Sequence, residues 1–395
     1  MPALEYNPFA YEIHEDPYPT YARLREETPV YHHPALDFYA YARHADVLSA
    51  IRDTETYTNT YGVSVEPSAS TQAAQFAMSF LGLDPPRHTK MRALVSRGFT
   101  PRRVAELEPR IRALAVGYLE RMRDRPRSEF IADLAGVLPF DVISELLGVP
   151  SPDRAELRKQ ADLLVHREEG VFDVPPAART AFGAIWGYFG ERIAERRRAP
   201  KSDLISALLA AEIDGERLTP IEIQSFCNLM IVAGNETTTK LLANALYWLW
   251  RNPDQRKLVS EDPGLIPRWI EETLRYDTSS QALGRVANRE LTLHGVTVPA
   301  GKRVLLLLGS ANRDERAFPN PDAYDLRRDT TASLSFGQGA HFCLGASLAR
   351  LEARIVLVEF WRRFADYQID PAGCTRVHSA SVRGFATLAL ELHGG

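Results

Sequence analysis

The stretch Ser335-Phe336-Gly337-Gln338-Gly339-Ala340-His341-Phe342-Cys343-Leu344-Gly345 decides how the rest of the chain is read. Three glycines around one cysteine let the backbone fold closely about the sulfur and aim N–H groups at it. Apolar residues then recur at Leu348, Leu351, Ile355 and Val358, the spacing of a helix face that begins directly after the cysteine. A sulfur at a helix N-terminus meets partial positive charge and unpaired N–H donors, which favour the thiolate. Zinc is a poor alternative, because only His341 stands at ligand spacing. The two remaining cysteines, Cys227 and Cys374, lie in ordinary apolar surroundings and read as core.

Around this stretch the chain has 395 residues, with 47 Lys+Arg against 51 Asp+Glu and 45% hydrophobic residues. That balance is the one of a folded globular protein rather than a disordered chain. A net charge of −4 also makes nucleic acid a poor partner, since phosphate neutralisation needs a basic surface. With only three cysteines the chain suits a reducing compartment. The opening residues MPALEYNPFAYEIHEDPYPTYARL lack the apolar core of a signal peptide, and no run approaches the roughly 20 apolar residues of a membrane span. A cytoplasmic protein without membrane contact is expected. No linker, repeat or low-complexity stretch divides the chain, so one domain over residues 1–395 is expected.

Apolar periodicity predicts helices over 102–123, 152–168, 177–198, 202–213, 220–251 and 265–276. Strands are expected near 29–33, 37–41, 291–298, 303–308 and 385–390, with residues 290–300 and 303–308 forming a hairpin through a Pro299-Ala300-Gly301 turn. The fold class is therefore mainly α with a minor β region. Thr219, Pro220 and Glu222 form a capping box that opens a helix exceeding roughly 40 Å. In its middle, Ala233-Gly234-Asn235-Glu236-Thr237 contains poor helix formers. This is either a tolerated flaw at a close helix crossing or a local opening that sets an acid and a hydroxyl beside a ligand.

The run Phe-Gly-x-Gly-x-His-x-Cys-x-Gly over 336–345 resembles the haem-binding loop of a cytochrome P450, with every fixed position filled. Glu272-Thr273-Leu274-Arg275 resembles the family's ExxR element, and Asp84-Pro85-Pro86-Arg87-His88-Thr89-Lys90-Met91-Arg92 a further signature. The motifs fall in family order along almost the whole chain. The resemblance implies the family's fold, in which haem b lies between a long distal helix and the cysteine loop. Cys343 would be the axial thiolate and metal ligand. His88, Arg92, Arg285 and His341 would hold the propionates, and Phe336, Gly337, Gly345 and Ala233 would line the cofactor. Glu236 and Thr237 resemble the family's catalytic acid–alcohol pair, which supplies protons for oxygen activation. One departure stands out: many relatives carry Arg where this chain has Ala323, leaving Arg327 or Arg328 to complete the ExxR network.

By the same analogy, Phe76, Phe80, Leu229, Val232, Ala233, Gln281 and Leu283 are candidate substrate contacts, and 164–178 connects two helices that act as a lid. An apolar lining suits a terpenoid, steroid, fatty acid or polyketide. No Gly-x-Gly-x-x-Gly fingerprint opens a βαβ unit, so no flavin is expected in the chain. Electrons would come from a ferredoxin and its reductase, docking near Arg102, Arg103 and Arg350. The expected activity is hydroxylation or epoxidation with O2. The alternatives are a peroxide-using or rearranging haem-thiolate enzyme, disfavoured by Glu236 and Thr237, and a non-catalytic haem sensor.

Overall fold

The computed structural model describes residues 4–392 apart from 69, 70, 72, 73 and 214. Its longest element begins where Thr219 and Glu222 cap each other. The Thr219 hydroxyl accepts from the Glu222 N–H at 3.2 Å, and the Glu222 carboxylate accepts from the Thr219 N–H at 2.8 Å. Pro220 occupies the first turn. Helix Pro220–Arg251 then runs 32 residues without interruption. The opening considered for 233–237 is absent: the backbone stays helical, and the Thr237 hydroxyl donates to Ala233 O at 2.9 Å. Buried Phe226, Ile231, Leu242 and Leu246 pin the helix from both sides of that region. Tertiary packing thus overrides the weak propensity of Gly234 and Asn235.

Helices Leu138–Leu146, Ser151–Val165, Pro176–Arg198, Ile266–Tyr276 and Ala346–Phe364 pack against this central helix. Two expected helices differ from the periodic pattern. Residues 102–123 form two helices, Pro101–Glu106 and Glu108–Arg123, with Pro109 in the first turn of the second. The one expected over 202–213 ends at Ala210, and strands Glu212–Ile213 and Glu216–Arg217 follow.

The main sheet has five strands in the order Val30–His33, Phe38–Tyr41, Arg303–Leu307, Ala282–Ala287 and Tyr57–Thr58. This corrects the expected hairpin. Leu291–Leu293 pairs with Val296–Val298 around His294 and Gly295, both at positive φ. Arg303–Leu307 instead pairs antiparallel with Ala282–Ala287 and parallel with Phe38–Tyr41. The turn at Pro299–Lys302 exists, but Gly301 N–H donates to Ala287 O at 2.7 Å and so returns the chain to strand Ala282–Ala287. That strand carries Arg285 and was hidden because its small and polar residues show no clear alternation. About 54% of the described residues are helical. Among the described residues, no helix is long and apolar enough to cross a membrane.

Candidate active site

The cysteine loop is set by its backbone. Gly337 N–H donates to Leu334 O at 2.8 Å, and Cys343 N–H donates to Phe336 O at 2.9 Å. Gly337 and Gly339 sit at φ +66° and +68°, where a side chain would be strained. Helix Ala346–Phe364 starts immediately afterwards with Gly345 at its N-cap. The N–H groups of Gly345 and Ala346 reach the Cys343 sulfur. Burial nonetheless dominates and lifts the thiol above its ordinary value, while the Gly345 amide, Arg92, Arg350 and the Ala346 amide pull it down. Protein surrounds Cys343 closely, yet its side chain is open to solvent. Ala233, midway along the central helix, is likewise exposed, and Thr237 one turn on is half-buried.

Orphaned ring nitrogens and two arginines gather beside the cysteine loop. The His88 and His341 rings lie 4.0 Å apart, and all four of their ring nitrogens are buried without a hydrogen-bond partner. Burial pushes His88 down to about 4 and His341 to about 3, with Arg92 lowering both and Arg285 also lowering His341. Arg285 is buried and, among the described residues, donates only to Gly284 O, at 2.7 Å. Burial lowers it to about 10, with Asp84 opposing. Arg92 donates to Phe342 O at 2.6 Å, which ties it to the cysteine loop. A buried guanidinium without a counter-ion and buried ring nitrogens without a partner are costly. Their arrangement fits a dianionic ligand, and the two carboxylates of a haem match both the charge and the donor set.

Behind the loop, the Glu272 carboxylate accepts from Arg275 at 2.7 and 2.8 Å, and both side chains are essentially inaccessible. Arg275 also donates to Asn312 O, Pro321 O and Ala323 O. Arg328 fills the gap left by Ala323: its Nε lies 3.3 Å from Glu272 Oε1, and its Nη2 donates to Ala323 O at 3.1 Å. The Arg350 guanidinium lies 4.5 Å from the centre of the Phe336 ring and grips Glu271 at 2.5 and 2.9 Å. The Arg350–Glu271 pair carries no motif and escaped the sequence reading.

On the central helix, Glu236 is buried 3.1 Å from Lys240 and lines a cleft with Asp162. The apolar candidates divide. Leu229 and Val232 are half-buried on the same helix, Leu283 is half-buried on strand Ala282–Ala287, and Phe76 is exposed. Phe80 packs in the core, its ring 5.9 Å from His88 and 6.3 Å from Phe226. Gln281 donates to Thr278 O at 2.8 Å and bounds a small cleft with Tyr6 and Tyr21. The 164–178 connection is fastened on several sides. Arg167 pairs with Glu66 at 2.7 Å, the Ser68 hydroxyl donates to Asp173 at 2.6 Å, and Arg167 N–H donates to His378 O at 2.8 Å.

Comparison with known proteins agrees with this geometry. The family model described as Cytochrome P450 matches residues 177–263 and 264–376. A Mycobacterium tuberculosis relative that carries the name cytochrome P450 123 is 52% identical over 392 residues, 99% of this chain and 98% of its own. The structure of CYP109Q5 from Chondromyces apiculatus superposes with a TM-score of 0.90 at 37% identity, covering 99% of each chain. CYP109E1 from Bacillus megaterium, solved in complex with testosterone, also gives 0.90 at 30% identity, covering 97% of this chain and all of that one. A cysteine loop on glycine turns, a buried ExxR pair and this likeness over nearly the whole length place the chain in the cytochrome P450 family of monooxygenases.

Proposed function

We propose that the chain binds haem b through Cys343 and uses O2, with electrons from a ferredoxin and its reductase, to hydroxylate or epoxidise a lipophilic small molecule in the cytoplasm. The observation that carries this reading is the convergence of four unpartnered ring nitrogens and buried Arg285 on the interior that Cys343 faces. When bound, the haem supplies an iron centre that reduces dioxygen and inserts one of its atoms into substrate.

The protein's residues would then divide the work. His88, Arg92, Arg285 and His341 hold the two carboxylates and gain the counter-charge they lack. The Gly345 and Ala346 amides and Arg92 favour the Cys343 thiolate, and Phe336, backed by Arg350, covers it. The Thr237 hydroxyl donates to Ala233 O at rest, and rotation about one bond re-aims it into the interior beside exposed Ala233. Glu236 supplies protons to the same turn. Leu229, Val232, Leu283 and Phe76 offer an apolar wall, and the fastened lid excludes water.

Among lipophiles, a steroid-sized polycycle is favoured because the similar CYP109E1 was solved with testosterone. Titrating the ferric protein with steroid, fatty-acid and terpenoid panels and following the haem spin state tests this choice; a response to fatty acids alone would rule out the steroid class. Replacing Thr237 with Ala should leave NADH and O2 consumption in place while product per NADH falls about tenfold or more. Unchanged coupling would remove Thr237 from proton delivery.

A further inference from the structure

The lid and the surfaces it meets are held in unlike ways. No residue from 166 to 174 is buried, so apolar packing does not fix this segment. Its surroundings are fixed. Helix Tyr11–Glu15 is tied to the core at its C-terminal end, where Arg383 donates to His14 O and, at 3.1 Å, to Glu15 O. The same guanidinium donates to buried Asp277 at 2.7 Å. His14 Nε2 donates to Pro8 O at 2.9 Å, and Phe9 and His14 are both buried. On the other flank, the loop at 63–64 lies flush on strand Ala282–Ala287. Gly284 N–H donates to Val63 O at 2.7 Å, and a Cβ at 284 would come within 2.9 Å of the Ser64 backbone.

Tyr11 joins the fixed side to the lid. Its ring stacks on that of His378, with centroids 3.5 Å apart and planes 7° from parallel. Its hydroxyl accepts from Glu169 N–H at 3.1 Å and faces Arg167 O at 3.5 Å, while His378 O accepts from Arg167 N–H at 2.8 Å. The amides of Arg167 and Glu169 lie outside helix and strand and thus find their acceptors on the Tyr11–His378 stack. Beside it, Phe9 meets the ring of Phe172 edge-on at 5.6 Å, and Phe172 is 44% exposed.

We infer that the N-terminal segment is the latch of the lid: Tyr11, stacked on His378, holds the backbone of Arg167 and Glu169, and its release sets how fast large ligands enter and leave. The inference rests on the reading of 164–178 as a lid given above. Hydrogen bonds and one ring edge at a partly solvated surface are each weak enough to break and re-form. Because no residue of 166–174 is buried, opening leaves no cavity in the core. The Glu66–Arg167 pair and the Ser68–Asp173 bond fasten the lid to the loop side, so losing Tyr11 frees one edge only. Tyr11 is a positioning residue, acting through the lid. A ligand small enough to pass the closed lid is indifferent to the latch.

Hydrogen exchange and ligand kinetics of the holoenzyme test the latch together. Tyr11→Ala should speed exchange of the amides between 166 and 174 about tenfold and leave helix Pro220–Arg251 unchanged. Phe172→Ala removes an exposed ring, threatens no core, and should act in the same direction by about threefold. In stopped-flow binding to the ferric haem, Tyr11→Ala should raise both the association and dissociation rates of clotrimazole about tenfold. Those of imidazole, a far smaller haem ligand, should stay as they are. Unchanged exchange at 166–174 in both variants, or equal acceleration of both azoles, overturns the latch. Faster exchange with unchanged clotrimazole rates overturns the lid reading on which it rests. The exchange result needs no oxygen chemistry, so it decides the contact even if Thr237→Ala contradicts the proposed function.

Discussion

The cysteine loop and the middle of helix Pro220–Arg251 face the same interior, yet they are built by different means. The loop is a backbone construction: two glycines at positive φ, a ladder of main-chain hydrogen bonds and a helix N-terminus fix Cys343 whatever side chains surround it. The helix segment is a side-chain construction on an ordinary α backbone. Its neighbours arrive from far along the chain: Asp162 lines a cleft with Glu236, and Gly384 leaves room for Lys240. The ligand side tolerates little variation, because strain penalises it at once. The proton side can be retuned one residue at a time.

The largest effect that would sharpen this contrast lies behind the loop. Arg275→Ala leaves Glu272 buried with only Arg328 beside it, and should cost about 3–5 kcal/mol with loss of haem binding. Chemical denaturation and the haem-to-protein absorbance ratio measure it. A loss under 1 kcal/mol, on the order of a surface pair, would mean that Arg328 suffices alone.

Haem removal comes next. The His88 value of about 4 lies below the ordinary 6.5, so the fold disfavours the proton that the unfolded chain accepts. Haem-free protein should therefore lose stability as pH falls from about 6.5 toward about 4. Haem-loaded protein should lose less over the same range, because propionate contact raises the histidine. Parallel melting curves of the two forms over this range read the difference; identical slopes would mean that no anion sits at His88.

Two glycines then give opposite signs for one substitution. Gly337→Ala forces a side chain to φ +66° and should destabilise by about 1–2 kcal/mol. Gly234→Ala adds a Cβ that meets Ile143 only at an ordinary 3.5 Å inside a continuous helix, and should stabilise by about 0.5–1 kcal/mol. Equal signs in thermal denaturation would mean that the helix opens at Gly234 in solution.

The same contrast explains what the sequence made legible. The loop, the ExxR pair and the capping box are local patterns, in which spacing alone puts the interacting groups together. Strand Ala282–Ala287 was missed because its pairing with Arg303–Leu307 is long-range and its pattern weak. The hairpin was misplaced by reading the Pro299–Gly301 turn as its tip, when His294 and Gly295 turn the chain instead. Arg328 was one of two candidates, and only the fold of 319–328 chooses it.

The central claim is that Cys343 is a thiolate ligand to haem. The dithionite-reduced, CO-bound spectrum tests it most directly. The account predicts a Soret band at the red-shifted position that gives the family its name, lost in Cys343→Ser. A band at the shorter wavelength of histidine-ligated haem, or no haem band in protein expressed with haem supplied, would contradict it.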